Sequence, residues 1–308
     1  MRKYLAIIAG VCVLVSCTSK VRKSTLADRD FTIDIRHRTT PVKDQGHSQA
    51  CWLYSFLSML ESEHIAMGDS VNLSARFILL RNGGDKERGM LTRAYRLLFS
   101  HGTVPYDACN DNAEHTPKVA RMLGCDYTPR QFAGSVCREG EYAFLTSFCR
   151  FPYGEKVVLD VPDNIDRDSF LNVPLDSLMD IMERTIRSGH TFAWEGDTSN
   201  DDFCPDDGIA YLDSTFTVTE QIRQQQFDSG ETADNHCLHI MGMAHNRRGE
   251  MFYIAKNSWG KRGHYKGYMM INANYLRLRT IAISVARDVV EGVKEVQKVQ
   301  GIQKNIKI

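Results

Sequence analysis

The sequence predicts an α+β fold, with helices concentrated in residues 31–187 and antiparallel strands in residues 188–290. Three observations predict it. Apolar residues recur at helical spacing after Cys51, over 90–100 and over 175–186. Residues 238–244 and 251–257 instead alternate at strand spacing around the turn residues Asn246-Arg247-Arg248-Gly249. The third is size: 308 residues, 43% hydrophobic and 25% charged, suffice for one large domain or two lobes with cores of their own.

In chain order, residues 1–16 read as a secretory signal, with basic Arg2 and Lys3 followed by an apolar run over 4–15 that is too short to span a bilayer comfortably. Leu14-Val15-Ser16-Cys17 resembles a bacterial lipobox, so Cys17 is the expected lipidation site and the protein is expected at a membrane surface of the cell envelope. An ordinary signal peptide with an incidental cysteine is the alternative. Residues 17–30 are polar and read as a flexible stalk. No later run of about 18 apolar residues offers a transmembrane helix, so the part beyond the stalk is expected to be soluble. The 38 basic and 38 acidic residues balance, which leaves nucleic acid without electrostatic support as a partner.

Gln45 and Gly46 lie in an irregular segment; Ser48 is the expected N-cap of the helix that follows, and Cys51 falls in its first turn. Trp52, Phe56, Met59 and Leu60 share one stripe of that helix. A helix N-terminus carries about half a positive charge, and a neighbouring imidazolium takes a paired thiol to a pKa of roughly 3–4. A small buried hydrophobe is the competing reading of Cys51, so the rest of the chain decides. Short helices are expected over 73–80, ended by Asn82-Gly83-Gly84, and from Met90 to about Ser100, stopped by His101-Gly102. Residues 109–162 carry mixed signals and no assignable chemistry. Asn172 is the expected cap of a helix that Ser188-Gly189 ends, and residues 190–197 read as a strand entering a loop. Further strands are expected over 268–271 and 280–286. His236 opens the first strand of the hairpin and Asn257 closes the second, so antiparallel pairing brings them together.

With Cys12 in the signal, Cys17 lipidated and Cys51 free, six cysteines (109, 125, 137, 149, 204 and 237) remain available for disulfides, with connectivity open. Strand alternation puts Cys237 on the opposite face from His236, and no second cluster completes a ligand set. No metal and no other cofactor is therefore expected.

Gln45, Cys51-Trp52, His236 and Asn257-Ser258-Trp259-Gly260, in that order, resemble the papain superfamily of cysteine peptidases. Asn172-Val173-Pro174, Ala193-Trp194, Thr232-Ala233-Asp234-Asn235-His236 and His264-Tyr265-Lys266-Gly267-Tyr268 are similar to its bleomycin hydrolase and aminopeptidase C branch. Ser48 in place of the usual cysteine agrees, as does the short stretch from Thr18 to Thr40, which leaves no room for an inhibitory propeptide. The resemblance covers residues 40–288. It implies a papain-like fold of two lobes, helical around Cys51 and antiparallel around His236 and Asn257, with a cleft between them, a boundary near residue 187, and peptide or protein substrates. It also implies that Cys51 is the nucleophile, His236 its acid–base partner, Asn257 the group orienting that imidazole, and Gln45 with the Cys51 N–H the oxyanion hole. Trp259 would cover the His–Asn bond on the substrate side. Gly89 matches the second of the two glycines that meet substrate backbone in the family, and Arg88 replaces the first. Cys237, where relatives usually carry alanine, reads as packing. His239 reads as a supporting or surface residue. Kinship makes an aminopeptidase the leading expectation, with an open-cleft endopeptidase or a catalytically silent peptide-binding lipoprotein as alternatives. The tail, 291–308, reads as a loose amphipathic helix, and its ending, Asn305-Ile306-Lys307-Ile308, does not resemble that of the branch. Oligomeric state stays open.

Overall fold

The computed structural model describes residues 30–84 and 88–291. The expected signal, the lipidation site Cys17, the stalk up to residue 29 and the tail beyond residue 291 lie outside the described residues. Strand β1 (Thr32–Arg36) leads into an irregular segment and then helix α1 (Cys51–Ala66). This helix is buried nearly all round, including Trp52, Leu53, Phe56, Leu57, Met59 and Leu60. It is a central helix, wrapped on several sides by apolar neighbours, and each such side chain contributes roughly 1.5–3 kcal/mol by leaving water. Its N-cap is Ala50, with no side-chain bond, and not Ser48. The Ser48 hydroxyl donates to the Gln45 carbonyl at 2.7 Å, so it closes the turn that presents Gln45.

Helix α2 (Ala75–Arg81) is capped by Ser74, whose hydroxyl accepts from Phe77 N, and helix α3 (Leu91–His101) ends at Gly102. The stretch without assignable chemistry folds into the hairpin β2 (Ala120–Met122) and β3 (Cys125–Tyr127), helix α4 (Pro129–Val136), and strands β4 (Tyr142–Thr146) and β5 (Lys156–Val158). Strand β6 (Ser169–Asn172), helix α5 (Leu175–Arg187), strands β7 (Phe192–Gly196), β8 (Phe203–Cys204) and β9 (Ile209–Ala210) and helix α6 (Glu220–Ser229) follow. The chain continues with β10 (His236–His245), β11 (Met251–Lys256), β12 (Tyr268–Asn272), α7 (Ala273–Arg279) and β13 (Thr280–Ala286).

The α+β class holds, with one large sheet in the order β5-β6-β4-β13-β7-β10-β11-β12-β9-β8 and with β1 also paired to β10. Alternation along β7 and β10 divides their side chains between two layers. Ala193 and Cys237 join the core around α1, while Trp194, Leu238 and Ile240 join the core beneath α5. The expected boundary near residue 187 is not an edge of this sheet. Strands β1, β4, β5 and β6 come from before it, because β13 pairs with β4 on one side and β7 on the other. Helix α5, which ends at that boundary, packs on the sheet that follows it.

Candidate active site

Two loops are clipped together beside the start of α1. Gln45 N donates to Ser258 O at 2.7 Å and Gly260 N to Lys43 O at 3.1 Å, while Asp44 and Trp259 form an antiparallel bridge. The Ser258 hydroxyl donates to Gln45 Oε1 at 2.6 Å, and Gln45 Nε2 donates to Ser48 O at 2.7 Å. The Gln45 side chain is therefore held at both ends. Gly260 adopts φ +70°, and a Cβ there would come within 2.8 Å of Asp44 Oδ2, so glycine is what lets the two loops approach.

Cys51 is the first residue of α1, where a helix leaves its backbone N–H groups without intrahelical acceptors. Its sulfur receives the Cys237 S–H and backbone N–H and meets the His236 imidazole. Those hydrogen bonds, the Cys237 thiol first and then His236 with its charge, hold the Cys51 pKa well below the usual thiol value despite burial. His236 sits at the start of β10, and its Nε2 lies 2.9 Å from Asn257 Oδ1, just past the end of β11. The other ring nitrogen is the one left for Cys51. Asn257 Oδ1 also accepts from Ser258 N at 2.7 Å, which fixes the amide's orientation. The Trp259 indole stacks on the His236 ring, with centroids 4.3 Å apart and planes 28° apart, and so covers the imidazole–amide bond.

Gly89 lies just before α3, where a Cβ would come within 2.5 Å of Arg93 Cδ and 3.2 Å of the Trp52 ring. The structure thus brings together Gln45, Cys51, His236, Asn257 and Trp259, and places Gly89 against the residue that follows Cys51. Among the described residues, no group of three or more His, Cys, Asp or Glu side chains is arranged to hold a metal, and none of the seven cysteines is in a disulfide.

Sequence reasoning missed two polar clusters. Glu195 sits opposite Cys237 across β7 and β10, with Asp234 and Asp163 nearby, and the charge of Cys51 helps to raise the pKa of each. Burial, then neighbouring carboxyls, pushes Glu195 and Asp234 well above the usual carboxylate range. Burial pushes Asp163 up to about 6, against the Arg88 guanidinium, whose Nε stands 2.6 Å from Asp163 Oδ1. The signal was a glutamate directly after the apolar run Phe192-Ala193-Trp194.

The second cluster lies under α1. Glu61 accepts from Thr40 Oγ1, from Lys43 Nζ and, at 2.6 Å, from Leu73 N. Lys256 Nζ donates to Thr40 Oγ1 at 3.0 Å and Ser58 Oγ at 2.9 Å, and Ser58 meets His239 Nδ1 at 2.9 Å. His239 is therefore a buried supporting residue and not a surface one. The cluster ties the segment leading to Gln45 onto α1 and β11.

Residues 144–305, more than half of the chain, match the sequence profile of the Peptidase C1-like family. The chain belongs to the Peptidase C1-like family. That match contains His236 and Asn257, whereas Cys51 and Gln45 precede it and stand on the geometry above. Within this cysteine peptidase family, the chain is 33% identical over 101 residues to a Cathepsin L-like peptidase of Aedes aegypti, covering 29% of this chain and 30% of that protein. The matched stretch thus spans less than a third of that relative. Among solved structures, PepW of Lactobacillus rhamnosis superposes with a TM-score of 0.67 at 14% identity, over 92% of this chain and 88% of its own, a likeness of fold.

Proposed function

We propose that this chain is an active cysteine peptidase acting as an aminopeptidase on peptides with a free amino terminus. The observation that carries the peptidase reading is the line from the Cys51 thiol to His236 to Asn257, with the second link at 2.9 Å. The Cys51 thiolate attacks the substrate carbonyl carbon, and the His236 imidazolium gives its proton to the departing amine as the C–N bond breaks. His236 then takes a proton from water, which attacks the acyl-enzyme and frees the thiolate. Asn257 keeps the imidazole in orientation, Trp259 keeps water from their bond, and Gly89 leaves room for substrate backbone.

The Cys51 N–H and the Gln45 amide receive the oxyanion. One N–H of that amide is engaged by Ser48, and the other makes no hydrogen bond among the described residues. Gln45→Ala is expected to lower kcat by ~10²–10³ with little change in KM, the cost of one oxyanion donor. Steady-state kinetics on a fluorogenic peptide checks this, and a change confined to KM would remove Gln45 from that role.

Support for a free amino terminus comes from the carboxyl groups beside the nucleophile, since an α-ammonium near Cys51 would meet Asp163 at their edge. Asp163 is anionic above about 6, and an α-amino group is cationic below about 8. The preference for free over N-blocked aminoacyl substrate should therefore rise through the first value, fall through the second, and weaken in Asp163→Asn. The deciding experiment compares those two substrates across pH, with Cys51→Ala as control. Cleavage of the blocked peptide alone would instead assign an open-cleft endopeptidase. Cleavage of neither, with Cys51 inert to a thiol-reactive epoxide, would leave a peptide-binding protein. The same proposal places the domain at the cell envelope through lipid on Cys17.

A further inference from the structure

Cys237 is a second thiol built into the nucleophile's own pocket. It is buried, belongs to the apolar cluster against which Cys51 packs, and lies on the β10 face that meets α1. The Cys51 sulfur is met by both its backbone N–H and its S–H, so the two thiols face one another across the gap between helix and strand. Catalysis needs no second sulfur there: an imidazole, an amide and an oxyanion hole complete the reaction described above. We infer that Cys237 is a resolving thiol, which captures Cys51 as an intramolecular disulfide when a peroxide oxidises it.

The inference rests on Cys51 being the reactive thiolate of the proposed function. The half-buried Cys51 thiolate is reachable by a molecule as small as hydrogen peroxide. Its sulfur attacks one peroxide oxygen, the O–O bond breaks, and hydroxide leaves; sulfur is oxidised and peroxide reduced by two electrons. The product is the Cys51 sulfenic acid. The Cys237 sulfur then attacks the Cys51 sulfur, forming the S–S bond as the S–O bond breaks, and its proton leaves with the hydroxyl group as water.

The surroundings favour that order of events. While Cys51 is a thiolate, Cys237 stays a thiol: burial, the hydrogen bond it gives to Cys51 and the nearby Glu195 and Asp234 all push its pKa up. Oxidation of Cys51 removes the thiolate charge and that hydrogen-bond acceptor together, which releases Cys237 for attack. The disulfide blocks the nucleophile, and a dithiol reductant restores both sulfurs. Without Cys237, further peroxide carries the sulfenic acid to sulfinic acid, which such reductants do not reverse.

The test is mass spectrometry of the full chain after graded hydrogen peroxide, followed by alkylation and peptide mapping. The expected result is a wild-type protein short of two hydrogens, with the peptides containing Cys51 and Cys237 cross-linked and both thiols recovered in dithiothreitol. Under the same treatment, Cys237→Ala should gain two oxygens on Cys51 and stay modified. Wild-type protein that accumulates Cys51 sulfinic acid at the rate of the variant, with no Cys51–Cys237 peptide, overturns the inference. The cross-link is read in wild-type protein, so poor folding of the variant does not blunt the test. Because it is read by mass, a cross-linked protein that hydrolyses nothing keeps this inference and loses the proposed function.

Discussion

Cys51→Ala is expected to lower kcat about 10⁶-fold, His236→Ala nearly as far, and the double variant no further than either, because the proposed function has nucleophile and base act as a unit. The geometry makes this the largest catalytic effect expected. The Cys51 sulfur has direct contact with the imidazole, and the imidazole is held from behind by Asn257 at 2.9 Å. Removing either partner leaves only the oxyanion donors and substrate binding. Alanine suits the first turn of a helix and Cys51 is only half-buried, so the thermal midpoint should hardly move. Turnover measured in the presence of a reductant, with thermal unfolding beside it, checks both statements. If the double variant lost the product of the two single effects, Cys51 and His236 would be acting independently and the pair would be wrongly assigned.

Glu61→Ala should be the most damaging single substitution for stability, at about 3–5 kcal/mol, the cost of leaving buried charges unpaired. Its carboxylate, fully buried, accepts from Thr40, Lys43 and the Leu73 N–H. Burial pushes the Lys256 ammonium down to about 8, while the charge of Glu61 opposes that fall. Without the carboxylate, Lys43 and Lys256 face each other with no counter-charge, and the loop bearing Gln45 loses its tie to α1. For a domain of this size the loss corresponds to a thermal midpoint lower by about 10 °C. Glu61→Gln keeps two polar positions and should lose less. A Glu61→Ala loss below about 1 kcal/mol would show that water replaces the carboxylate without difficulty.

The site was legible in the sequence where chemistry and strand geometry coincide. His236 and Asn257 flank a hairpin whose turn residues are local, and Cys51 heads a helix whose apolar run is local. The Glu61 cluster was not legible, because its members come from five segments between residues 40 and 256 that meet only in the folded chain. The N-cap was misplaced for a related reason: Ser48 has the right chemistry, but its hydroxyl is taken by a neighbouring turn. In the uninterpreted stretch one local signal existed, the capping box that Thr128 and Gln131 form at the start of α4. Strand β4 could not be placed, since its partners are β6, close by, and β13, more than a hundred residues later. The same distance hid Cys237. Its identity was plain, whereas its role depends on which helix lies over its strand.

The position of β13 in the sheet bears on when the proposed site can form. It is the last strand in sequence among the described residues, yet it joins β4 to β7, so the wing β5-β6-β4 and the wing from β7 outward share no edge without it. Helix α1 leans on both: Cys237 of the second wing is in its core, and Phe144 of the first stacks on its Phe56. In chain order Cys51 comes before His236, and the strand that locks their frame follows both, so synthesis delivers the two side chains before the frame that holds them. The frame that the proposed chemistry needs is therefore complete only once β13 has paired with both wings.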